Sequence, residues 1–271
     1  MIWSNQNTFH VILLEHGIHG FIEDENTSDT MKEKKPLPDN WANLSPTDFV
    51  SKWYNEQYQS CTYCNAAGFS QRFMHRSLEQ KHTERTHFES VLEIGANRGE
   101  HLEYVRHTFD SYFLTDIQAY DKSVLPTTEF RSGLVFQKED ATRLSFDNQT
   151  FNRVLCSCVL HHVSDAESAL TELRRVLKNG GSADIFLSSD PGFLFRLGRY
   201  MGPVREAKKL GLDGVKRLVD ARDHRNHVAG LTRVIRHVFR NDAINEQSYP
   251  VRYMSWNLSF WKIFHIVKTG E

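Results

Sequence analysis

The densest chemical signal in this 271-residue sequence is Glu93-x-Gly95-x-x-x-Gly99. It follows a short apolar run from Val91 to Ile94, and glycine there lets the backbone turn and approach a ligand closely. A dinucleotide site would space its glycines as G-x-G-x-x-G, and a P-loop would end in G-K-[ST]. Neither pattern is present. His161-His162 follows the apolar run Arg153–Cys156, and adjacent imidazoles at a strand end can relay or accept a proton. Asp116 and Asp140 close two other short runs, where a carboxylate can accept hydrogen bonds from a ligand or cap a turn. Cys61-x-x-Cys64 could form half a zinc site or a redox pair, but no second such pair lies near it. Cys156 and Cys158 sit on a strand expected to be buried, so these thiols read as unremarkable and no metal is expected.

Charge is balanced overall, with 33 Lys+Arg against 34 Asp+Glu, which counts against a dedicated nucleic-acid binder. The balance is local, however. Between Arg196 and Arg240 stand twelve Lys/Arg and four Asp/Glu, densest in polar groups at Arg222-Asp223-His224-Arg225-Asn226-His227. Aromatic residues are not interleaved with these cations as base stacking would require. No run approaches the roughly 18 apolar residues of a membrane span, and the four cysteines do not make a disulfide scaffold. These features point to a cytoplasmic protein.

Residues 1–40 lack any amphipathic period and read as a flexible tail, with Met31 a conceivable alternative start. Residues 41–89 read as a helical extension or lid. Ser45-Pro46 opens one helix carrying Trp53, Tyr54 and Tyr58, and a second helix is predicted over Phe73–His82. From residue 90 to 271 short apolar runs alternate with helical stretches: Val91–Gly95, Tyr112–Asp116, Leu134–Phe136, Arg153–Cys156 and Ser182–Leu187. A helix is predicted over Glu100–Phe109, and another after Asp165 that closes at Asn179-Gly180-Gly181. Residues 191–240 form a basic helical insertion. Tyr249–Met254 and Phe260–Lys268 read as a closing strand pair joined by a short connection. This alternation predicts an α/β fold with a parallel sheet covered on both faces.

The stretch from Val91 to Gly181 resembles the core of class I S-adenosylmethionine-dependent methyltransferases, especially the "methyltransferase 11"-like small-molecule group. Glu93-x-Gly95-x-x-x-Gly99 matches their first motif, Asp116 the acid after the second strand, and Asp140-Ala141 the adenine-side position. Ser145–Phe151, Val159–Val163 and Leu173–Gly181 complete the ordered set. Asn97 replaces a frequent glycine, and asparagine tolerates positive φ best among the other residues. Asn152 stands where an acid is common. The resemblance implies a Rossmann-like, seven-stranded, mostly parallel sheet with an antiparallel last strand and helices on both faces.

It also implies S-adenosylmethionine as cofactor. Gly95, Ala96, Asn97 and Gly99 would pass its methionyl part, with Glu93 orienting that end. Asp116 would take the ribose hydroxyls, Asp140 and Ala141 the adenine edge, Ile117 or Leu144 the adenine face, and Cys156 would line the site. His161 or His162 would serve as base or orient the substrate. Arg222, His224, Arg225 and Tyr58 would contact the acceptor. The implied activity is methyl transfer to an oxygen or nitrogen of a small molecule; the basic insertion would suit an anionic one, such as a sugar phosphate or nucleotide sugar. An RNA or protein methyltransferase and a non-catalytic cofactor-binding partner subunit are the alternatives. The oligomeric state is not legible.

Overall fold

Seven strands pair in the order β3-β2-β1-β4-β5-β7-β6. They are β1 (His87–Ile94), β2 (Thr108–Asp116), β3 (Leu134–Lys138), β4 (Phe151–Ser157), β5 (Leu177–Ser188), β6 (Ala243–Tyr249) and β7 (Trp261–Val267). The structure is a computed structural model and describes residues 37–63, 65–118 and 132–270; the tail expected at the N-terminus lies mostly outside these, as does Cys64. The first five strands run parallel, and β7 is antiparallel to both β5 and β6. This is the seven-stranded Rossmann-like arrangement that the sequence predicts. Strand order reverses between β1 and β4, so their carboxyl ends open a crevice where ligands of such sheets bind.

The two faces are covered differently. On one, α5 (Ala166–Val176) and α9 (Val228–Val238) turn Leu170, Leu173, Leu231 and Ile235 onto Val154, Ile185 and Phe264. Asp165 caps α5 by accepting the Ser168 N–H at 2.9 Å. On the other, α4 (Asn65–Leu78) sets Met74 and Leu78 against Leu155, Phe186 and Ile263.

A helical roof stands over the carboxyl edge. It comprises α1 (Asp39–Ala42), α2 (Pro46–Glu56), α3 (Tyr58–Thr62), α6 (Phe193–Met201), α7 (Pro203–Lys209) and α8 (Asp213–Asp223). Ser45 caps α2 through the Asp48 N–H with Pro46 in the first turn. Trp41, Phe49, Trp53 and Cys61 bury against Ala207, Val215 and Val219, which joins the N-terminal helices to the basic insertion.

Four elements depart from the sequence reading. The helix expected over Phe73–His82 runs from Asn65 to Leu78. The helix expected over Glu100–Phe109 is a single 3-10 turn, Glu100–Tyr104, because β2 already begins at Thr108 and Val105 is extended. Asn179-Gly180-Gly181 does not end α5: the helix stops at Val176, and these residues loop out of β5 between the Phe151 and Arg153 pairings. The Gly180 N–H, at φ +77°, is taken by the Lys268 carbonyl. The sixth strand is Ala243–Tyr249 rather than Tyr249–Met254; it is an edge strand of mostly polar residues and lacks the apolar signal of a buried strand.

Arg153, in the middle of β4, is fully buried. Its guanidinium lies 2.7 Å from Glu79 just after α4 and 2.8 Å from Asp184 of β5. His101 of the 3-10 turn bonds Glu79 at 2.9 Å, while His82 (2.9 Å) and His265 of β7 bond Asp184. Burial works against the Glu79 charge, but His101 and Arg153 together hold its carboxyl down at about 2. Asp184 is likewise held well below the carboxylate range against its burial, by Arg153, His265 and His82.

Replacing Arg153 with Met leaves two buried carboxylates without their cation and is expected to cost about 3–5 kcal/mol in urea denaturation. Acid should destabilise the wild type in two stages. Burial lowers His107 from 6.5 to about 4, so the unfolded chain takes up that proton first and Tm falls across this range. Glu79 then titrates between 4.5 and about 2 with the same sign. A Tm profile of Arg153→Met that kept the second decline would show that this network does not set it.

Candidate functional site

The loop after β1 is shaped by one close approach. Gly95 sits at φ +68°, and a Cβ there would lie 2.1 Å from Val159 Cγ2 in the loop after β4. Asn97 adopts φ +47°, within the left-handed region that asparagine tolerates. The Asn97 N–H donates to one oxygen of Asp116 at 3.2 Å, and the Gln118 N–H to the other at 3.0 Å. Each oxygen keeps a further lone pair for a ligand. Ile117 beside it is 63% exposed, an apolar surface beside an acid.

The other residues of this set are more enclosed. Glu93 is buried and accepts the Tyr112 hydroxyl at 2.7 Å, and burial raises its pKa. It braces β1 against β2 and reaches a ligand only through the loop. Asp140 is exposed but spends one oxygen on the Thr142 N–H and hydroxyl, at 2.9 and 2.8 Å, which makes it a turn cap with one oxygen left. Ala141 is nearly buried beneath it. Cys156 packs entirely within the core, where burial pushes its thiol to about 12, so its side chain does not line the crevice. Leu144 is also core, leaving Ile117 as the apolar face.

The two histidines after β4 have separate fates. His161 is buried, and its Nδ1–H donates to the Asn226 carbonyl at 2.8 Å. Its Nε2 therefore accepts the Ser188 hydroxyl at 3.0 Å, and burial lowers its pKa to about 4. Both ring nitrogens are committed, so His161 holds the site together and has no lone pair for substrate. His162 is part-exposed, with Nδ1 2.8 Å from Asp223 of α8. The same carboxylate oxygen takes the Tyr54 hydroxyl at 2.8 Å. Burial opposes the Asp223 charge, but the bonds from His162 and Tyr54 keep its pKa lowered. His224 pairs with Asp190 at 3.0 Å and stacks on His161.

Asn226 is the clasp between insertion and loop. Its side-chain amide donates to the carbonyls of Leu160 and Val163 at 2.9 and 2.8 Å, fixing both ends of the histidine pair. Cys158, at φ +60°, begins this loop in a conformation few non-glycine residues adopt.

Beneath the roof lies a cavity of about 280 Å³. Trp53, Tyr58, Met74, Phe186, Phe195 and Trp261 form its apolar wall, and His161, His162, His224 and Cys158 its floor. Tyr58 and His224 thus line this cavity. Arg222 and Arg225 do not. The Arg222 guanidinium lies over the Phe49 ring at 4.8 Å, and the exposed Arg225 meets the site only through its backbone N–H to the His161 carbonyl. The cavity cations are instead Arg199 and Lys216, and both are bound by Asp220. Sequence reading assigned no role to Asp223, Asp190, Ser188 and Asp220: the first three lie tens of residues from their partners, and Asp220 joins Lys216 four residues away to the distant Arg199. Only the density of polar groups at Arg222–His227 hinted at this.

Comparison with known proteins bears on this geometry. Residues 92–184 match a family model described as "Methyltransferase domain". Residues 92–184 thus carry a methyltransferase domain, set in the Rossmann-like fold of such enzymes. Among solved structures, this methyltransferase is similar in fold to a chain from the complex between the Haloferax volcanii Trm112 methyltransferase activator and a methyltransferase. That match has 13% identity, a TM-score of 0.55, and covers 82% of this chain and 98% of the other. It is also similar to the N-methyltransferase NodS of Bradyrhizobium japonicum with S-adenosyl-L-homocysteine, at 13% identity, TM-score 0.54, and 84% and 100% coverage. Among curated proteins it is 28% identical over 149 residues to the hybrid PKS-NRPS synthetase poxE of Penicillium oxalicum, a match covering 51% of this chain and 3% of that protein. The methyltransferase thus spans only a small fraction of the curated relatives it matches.

The cofactor of the methyltransferase is S-adenosylmethionine, and the residues present fit it. A Cβ-free cradle at Gly95, an acceptor-only carboxylate at Asp116 and an exposed apolar face at Ile117 suit a methionyl group, a ribose diol and an adenine ring in turn. Asp116→Ala should weaken S-adenosylmethionine binding about ten- to hundredfold by calorimetry, the worth of a charge-assisted hydrogen bond. Gly95→Ala should weaken it too, since the methyl group displaces Val159. Unchanged affinity in Asp116→Ala would remove that residue from the cofactor site.

Proposed function

We propose that the methyltransferase transfers a methyl group to a small, largely apolar acceptor held in the cavity beneath the roof, with His162 as general base. The observation that carries this reading is the His162–Asp223 pair on the floor of an aromatic-walled cavity. S-adenosylmethionine, when bound, supplies an electrophilic methyl group. The residues of this chain supply alignment and a place for the proton. His162 Nδ1 lies 2.8 Å from Asp223, and a proton placed on that nitrogen would leave the Nε2 lone pair for the proton of an acceptor hydroxyl or acidic carbon. Asp223 then stabilises the imidazolium, and Tyr54 fixes that carboxylate from the roof. Tyr58, Trp53 and Phe186 exclude water and orient the acceptor.

The charge balance inside the cavity favours an apolar acceptor over an anionic one. Arg199 and Lys216 are already matched by Asp220, with Asp190 3.8 Å from Arg199, and the remaining cations of the insertion lie elsewhere. The likeness to polyketide-forming synthetases supports an acceptor with a carbon-chain or aromatic body.

Release of S-adenosylhomocysteine should therefore be seen with phenolic or β-dicarbonyl acceptors and not with sugar phosphates. His162→Ala should lower kcat about 10²- to 10⁴-fold with cofactor affinity intact. Asp223→Asn should also lower kcat with cofactor affinity intact, since it takes away the carboxylate beside the His162 ring. Equal turnover in His162→Ala would show that transfer proceeds without this base.

A further inference from the structure

Helix α6 presents its apolar stripe to solvent. Phe193, Leu197, Tyr200 and Met201, spaced i, i+4, i+7 and i+8, are 62%, 42%, 66% and 63% exposed. Such a stripe ordinarily faces a core, yet α6 contains no buried residue. The stripe continues onto the 3-10 turn Trp256–Leu258, which is joined to it by the Phe193 N–H bonded to Asn257 at 2.9 Å. Leu258 adds another half-exposed side chain.

Cations flank this surface. Residues 191–212 contain Arg196, Arg199, Arg205, Lys208 and Lys209 with a single acid, Glu206, which is paired to Lys209 at 2.7 Å. Arg196, Arg205 and Lys208 are exposed. Met201 belongs to both the exposed stripe and the cavity lining.

We propose that α6 and α7 form a docking surface for an anionic lipid bilayer, on which the methyltransferase lies with the mouth of its cavity at the headgroup level. Bulky apolar side chains on one helix face flanked by Lys/Arg make the pattern that buries shallowly in a bilayer interface, with tyrosine at its polar boundary. Charge complementarity selects anionic headgroups. An acidic protein would be drawn by the same cations, but it would leave the four-residue apolar stripe without an apolar counterpart. That the acceptor enters from the lipid through Met201 rests on the apolar-acceptor reading above; the docking itself does not.

Flotation of the full chain with phosphatidylcholine vesicles, with and without phosphatidylserine, tests this. Binding is expected only with phosphatidylserine, weakening as salt is raised. Leu197→Glu combined with Phe193→Ser, and separately Arg205→Glu combined with Lys208→Glu, should each reduce the bound fraction about tenfold or more. All of these side chains lie outside the cavity lining, so S-adenosylmethionine affinity and turnover on a soluble acceptor should remain, which separates failure of docking from failure of the site. No binding to either vesicle, or equal binding by the variants, would overturn the proposal. So would a dimer in sedimentation velocity that Leu197→Glu dissolves, since the stripe would then belong to a second copy.

Discussion

A guanidinium buried in the middle of a sheet is the constraint around which this methyltransferase is built. Arg153 reaches Glu79 on one side and Asp184 on the other, and through their histidine partners it ties α4, β4, β5, β7 and the 3-10 turn after the cofactor loop into one polar unit. Charges this deep survive only when each is matched. The registration of α4 on the sheet is therefore electrostatic as well as apolar, and α4 also contributes Met74 to the cavity wall. The same unit places His101, and with it the turn that follows Gly99.

Much of the cofactor half was legible because it is local in sequence. Gly95 and Asn97 share the loop after β1 and Asp116 closes β2, positions that the family resemblance picks out. The acceptor half is not local. His162 lies against Asp223, and the ring nitrogens of His161 are taken by Ser188 and Asn226, through contacts that close only when the insertion folds back over the loop after β4. Adjacent histidines therefore looked equivalent as residues and differ entirely in environment.

Charge counting, like adjacency in sequence, carries no direction. The basic surplus of the insertion is real, but its members point in different directions: Arg222 onto Phe49, Arg199 and Lys216 onto Asp220, Arg236 onto Glu246. Net charge over a segment describes a field, not a site. The fold errors follow the same logic. Polar β6 gave no apolar signal at the sheet edge, and the helix expected after Gly99 gave way to a turn because β2 starts so soon.

The roof and the cofactor loop are also latched to each other. Gln59 of α3 donates to Glu100, the Arg98 guanidinium donates to the Asn55 carbonyl at 2.9 Å, and Asn97 shares Glu100 at 2.8 Å. Two ligands that bind on opposite sides of such a latch are thermodynamically linked: whichever favours its closed form raises the affinity of the other by the same factor. An acceptor under the roof that favoured the closed latch would thus tighten the grip on a methyl donor at the loop, and the donor would return the effect.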